Sequence, residues 1–120
     1  MSVLSTILVA LIGLLHAYIC WFEMFAWESR GPKVFASFPK DLFAPTKDMA
    51  ANQGLYNGFL AAGLFWSLFI ADAAWQFNVA LFFLLCVLVA GLYGAKTVSK
   101  RILFVQAIPA GLAILTLLAF

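Results

Sequence analysis

Apolar residues run almost unbroken through four stretches of the chain, roughly 3–27, 49–70, 76–95 and 102–120, and the charged positions gather mainly between them. A helix needs about 20 mostly apolar residues to cross the hydrocarbon of a bilayer. The pattern therefore predicts an all-α protein, an integral membrane four-helix bundle whose four transmembrane helices form one domain over residues 1–120. The first stretch has no Lys or Arg ahead of it and is too long for the apolar core of a signal peptide. The connection over 28–48 has its own pattern. Val34, Phe35, Phe38, Leu42 and Phe43 are interspersed with Lys33, Lys40 and Asp41, and Pro32, Pro39 and Pro45 divide the segment. This predicts a long amphipathic loop in the membrane interface. It would be either a connector with buried anchors or a lid.

Composition strengthens the membrane reading. Of 120 residues, 66% are hydrophobic and 10% charged. Soluble domains are far more charged, and a chain this short has too little interior to hide so much apolar surface. Charge then sets orientation. Arg30, Lys33, Lys40 and Lys47 lie in the first connection and Lys96, Lys100 and Arg101 in the third, which accounts for all seven basic residues. Basic loops stay in the cytoplasm, so segments 28–48 and 96–101 are expected there, with the N- and C-termini outside. Trp27 and Trp75 fall near opposite boundaries, where interfacial aromatics sit. A net charge of +2 provides no field for nucleic acid. Cys20 and Cys86 lie in separate apolar runs and read as buried thiols, and no clustered ligand set for a metal is evident.

The exception to the apolar pattern is "AANQGLYNG" at residues 50–58. On a helix, Asn52, Gln53, Tyr56 and Asn57 share a sector about 140° wide, and Gly54, Gly58 and Ala62 form a small-residue ridge on the other side. Amides at this density face protein, water or ligand, because an unsatisfied polar group in lipid is costly. In the first stretch His16, Cys20, Glu23 and Trp27 follow a 4-3-4 spacing, which brings His16 and Glu23 onto one face. Counted at about 1.5 Å per residue from the cytoplasmic end, Glu23 lies about 6 Å deep, His16 about 16 Å, the three amides about 4 to 12 Å, and Gln106 about 6 Å. Tyr93 lies near the same level. Each helix thus offers a polar group in the cytoplasmic half. Pro109 deprives the Val105 carbonyl of its helical donor, which predicts a kink that widens the bundle above Gln106. Thr46 reads as an N-cap for the second helix, and Lys47 or Arg101 as a partner for Glu23.

An ionisable residue within a span is a functional-site hypothesis by default. Glu23 and His16 are the candidates for acid–base chemistry. Glu23, Trp27, Asn52, Gln53, Tyr56, Asn57 and Gln106 are the candidates for binding a ligand.

The runs from His16 to Trp27 ("H-x6-E-M-F-x-W"), "KVF" at 33–35, "TKDMAANQGLYNGFLAAGL" at 46–64 and "QAIPAGLAIL" at 106–115 resemble the domain-of-unknown-function 1304 family. The resemblance covers essentially the whole chain. It implies a small four-span protein of the bacterial inner membrane, with His16, Glu23, Asn52, Gln53, Asn57, Gln106 and Pro109 in the family pattern, and it implies no reaction or cofactor. The function expected is a pocket for a mostly apolar small molecule such as a quinone, lipid or aromatic metabolite. The alternatives are a small proton-coupled exporter using Glu23, or a structural membrane subunit of a larger complex. Lipid bilayer is the expected partner, nucleic acid is not, and self-association into a homo-oligomer fits the composition.

Overall fold

A computed structural model describes the whole chain, Met1–Phe120. It contains helices α1 (Val3–Phe25), α2 (Trp27–Val34), α3 (Lys47–Leu68), α4 (Ala73–Thr97) and α5 (Ile108–Ala119), with a 3-10 turn at Lys40–Leu42 and a π-helical turn at Leu103–Ala107. There are no strands. The fold is all-α, as the long apolar stretches predict.

Two of these helices, α1 with 23 residues and α4 with 25, are long and apolar enough to cross a membrane. At about 1.5 Å per residue both exceed the ~30 Å of a hydrocarbon core. Only 28% of the apolar window of each is buried, so their large side chains mostly face outward. Leu11, Leu14, Phe82 and Val89 are each more than half exposed. The other two apolar stretches differ. In α3 the charges of Lys47 and Asp48 and the amides dilute the apolar run, and the last apolar stretch, Leu103–Ala119, is shorter and begins with the π-helical turn.

The chain divides into two compact units, Met1–Leu14 with Leu60–Phe120, and Leu15–Phe59. The first has a core of Val9, Ile12, Leu64, Ala80, Leu84, Val87, Ala110, Ala113 and Leu117. The alanines allow close helix approach, as small residues do in membrane packing. At Gly91 of α4 the neighbour is backbone itself: a Cβ there would lie 2.7 Å from the Ala107 backbone nitrogen. Buried hydroxyls in this unit are satisfied, Ser67 Oγ donating to the Leu64 carbonyl at 2.6 Å and Ser5 Oγ to Thr116 Oγ1 at 3.1 Å. Asp72 caps α4 by accepting from the Trp75 amide at 2.9 Å.

Where the sequence predicts one helix over 102–120 with a kink at Pro109, the backbone instead widens one turn earlier. The Ile108 amide reaches back to the Leu103 carbonyl, and Pro109 sits in the first turn of α5. A first-turn proline has no helical partner to lose, so the wide turn moves the defect off the proline.

In the second unit, the 28–48 connection is not a loop throughout. The first helix ends at Phe25, and α2 follows after Ala26, whose φ of −129° breaks the helical path. The aromatics of the connection then fold onto α1 and α2. Trp27 lies 5.0 Å from Phe43 between ring centroids, Phe38 lies 4.9 Å from Phe43, and Phe22 stacks on Phe35 at 6.1 Å. Phe43 is 2% exposed and rests on Gly31, where any Cβ would collide with its ring. The Trp27 indole N–H donates to Thr46 Oγ1 at 3.0 Å, and the Thr46 hydroxyl donates to the Leu42 carbonyl at 2.7 Å. Thr46 does start α3 through its carbonyl, which accepts from the Ala50 amide. Its side chain serves the connection instead of the cap. Of the aromatic and aliphatic residues in this segment, Phe43 is the one that is buried.

Candidate functional site

The polar residues of the second unit lie on α1 and α3, and glycine decides how close those helices come. At Gly54 a Cβ would lie 2.9 Å from both Glu23 Cβ and Met24 Cγ, and at Gly58 one would lie 2.9 Å from Cys20 Sγ. The small-residue ridge of α3 therefore packs on the Cys20–Met24 turn of α1. Asn57, adjacent to Gly58, is brought within reach of Glu23, and its Nδ2 donates to Glu23 Oε1 at 2.7 Å. That is at the short end for an amide N–H meeting an oxygen acceptor. The same Nδ2 lies 3.2 Å from the Gln53 carbonyl one turn back. Glu23 is 8% exposed, and Asn57 is its one donor within the protein. Oε2 is left for a donor from elsewhere.

The remaining candidates are distributed differently. His16 is fully buried two turns before Glu23 on α1, about 10 Å along the axis, and Cys20 lies between them with its Sγ 3.7 Å from Met24 Sδ. Asn52 and Tyr56 bond each other at 3.3 Å on the exposed side of α3, and the Gln53 side chain is also exposed. Trp27 belongs to the aromatic cluster. Gln106 belongs to the other compact unit, on the π-helical turn. Lys47, read from the sequence as a partner for Glu23, pairs with Glu28 at 3.6 Å.

A small open cleft that the sequence does not reveal lies nearby. It has a volume of about 160 Å³ and is lined by Met24, Phe25, Trp27, Glu28, Ser29 and Lys47. Its residues come from the α1–α2 junction and the start of α3, positions that the packing of α3 on α1 and the folding of the connection bring together. Arg30, on the same short helix, stands over the Tyr18 and Trp21 rings at 5.9 and 6.0 Å.

The family described as "Protein of unknown function (DUF1304)" matches residues 10–118. A similar protein is "Uncharacterized protein YpaA" of Lactococcus lactis subsp. lactis (strain IL1403), 33% identical over 121 residues that cover 99% of this chain and 98% of that one. No solved structure matches the chain.

Proposed function

The chain belongs to the DUF1304 family, and on that footing we propose that it is a four-span bacterial inner-membrane protein that binds a mostly apolar small molecule at the Glu23–Asn57 pair. The observation that carries this reading is the 2.7 Å bond to a carboxylate that is 8% exposed on a helix apolar enough to cross a membrane. An ionisable side chain at such a position is costly. One amide satisfies only part of it, and a bound group with an O–H or N–H would supply the donor that Oε2 lacks. Tyr18, Trp21, Tyr56 and Phe59, all at least 41% exposed, offer apolar surface in the same unit. A quinol, a lipid fragment or a phenolic metabolite combines those features. His16, buried on the same helix, is the residue next in line for any proton that Glu23 accepts.

Four spans are supported by the placement of basic residues, all seven in the segments 28–48 and 96–101. With the positive-inside rule, this puts both segments in the cytoplasm and both termini outside. The binding reading is tested with a short-chain quinol titrated against the purified protein in detergent, followed by quenching of tryptophan fluorescence. Saturable quenching is expected in the wild type. Glu23→Gln and Asn57→Leu should each weaken it about tenfold, the effect of ~1.4 kcal/mol, while retaining helical circular dichroism. Equal quenching in folded variants would make the pair a packing device.

A further inference from the structure

The cleft beside Lys47 and Glu28 is separate from the Glu23–Asn57 pair, and its chemistry is of another kind. It presents one cation and one anion 3.6 Å apart, with side chains 62% and 49% exposed. Such an exposed pair gains little from its own attraction, so both heads remain available to a third group. Ser29 Oγ adds a hydroxyl whose contact with the Ala26 carbonyl, at 3.4 Å, is long enough to exchange for a better acceptor. The Trp27 indole N–H is committed to Thr46 and contributes only its ring. Met24 and Phe25, the latter 75% exposed, form the apolar side of the cleft. Its ~160 Å³ equals the bulk volume of about five waters, which suits a compact polar group.

We propose that this cleft holds the headgroup of a zwitterionic phospholipid, with the phosphate against Lys47 and Ser29 and a primary ammonium against Glu28. The inference rests on the membrane reading above, which sets the end of α1 and the start of α3 at the interface. An anionic headgroup would meet Lys47 but face Glu28 unaccompanied. A choline headgroup carries no N–H to donate to that carboxylate. Only a phosphate joined to a primary amine satisfies both charges at once, and its acyl chains would continue past Phe25 into the bilayer.

The test uses the full chain reconstituted in nanodiscs of equal phosphatidylethanolamine, phosphatidylglycerol and phosphatidylcholine with matched acyl chains. Lipid that stays bound after release is counted by native mass spectrometry. Phosphatidylethanolamine should be retained about fivefold over the other two, the scale one exposed ion pair can carry. Glu28→Gln should abolish its advantage over phosphatidylglycerol, and Lys47→Gln should lower retention of both. Both side chains are exposed, so these variants should keep wild-type helicity. No preference in the wild type, or the same preference in both variants, overturns the proposal. Free phosphoethanolamine added as competitor should displace little lipid; full displacement at equal concentration would assign the cleft to a soluble phosphoamine instead. An alkaline wash of membranes separates the two readings. A chain washed off overturns the membrane reading and this one with it, whereas a retained chain without lipid preference overturns this one alone.

Discussion

The carboxylate of Glu23 receives one neutral donor and no positive charge from its own unit, and this asymmetry governs how substitutions there behave. Removing the donor strands the acceptor, whereas removing both partners strands nothing. Asn57→Leu should therefore lower stability by about 1–3 kcal/mol, and the double change Glu23→Leu with Asn57→Leu should recover most of that loss. Unfolding of the purified protein in mixed detergent micelles measures both, and a double variant weaker than the single one would refute the assignment. The geometry also explains how far the polar sector was readable from sequence. On α3, Asn57 lies only about 60° from Gly54, Gln53 about 100°, and Asn52 and Tyr56 about 160°. Once Gly54 and Gly58 turn toward α1, only Asn57 can follow. The shared sector was legible, but which edge of it would meet Glu23 depends on the contact between Gly54 and the Cys20–Met24 turn, and that is a tertiary fact.

Among the elements, the π-helical turn and the short α2 mark the places where local pattern is overruled. Pro109 announces a defect, but the defect moves to Leu103–Ala107, where the backbone lies against Gly91 of α4. Gly91→Ala would place a methyl against main-chain atoms that cannot swing aside, and it should destabilise the protein by about 1–3 kcal/mol. At Gly111 of α5, a Cβ would meet nothing within 4 Å. Gly111→Ala should therefore stabilise by up to about 1 kcal/mol through helix propensity alone. Thermal melts of the two variants should shift in opposite directions. The 28–48 segment was legible as amphipathic because its aromatics recur, yet Gly31 and Pro32 argue against a helix in isolation. In the folded chain Gly31 accommodates Phe43, and the ring contacts made through Trp27 secure the eight residues of α2.

For the molecule as a whole, the proposed four-span topology sets the outward-facing apolar side chains of α1 and α4 against lipid and leaves orientation to the basic residues. A periplasm-active reporter fused after Phe120 should be active, and one inserted after Ser37 inactive. Moving two lysines from the 96–101 segment to the loop at Asp72 should erode that difference. The opposite reporter pattern would invert the topology. The division into two units has a temporal side as well. Residues 15–59 are continuous in sequence, whereas the other unit joins its first fourteen residues to everything from Leu60 onward. During translation the aromatic clasp and the Glu23–Asn57 bond can close while α4 is still being made, because their last participant emerges early. The core around Leu84 and Ala113 must wait for the end of the chain. A nascent protein stalled after α3 would then already carry its polar pair while six of the nine residues of the other core were still to come.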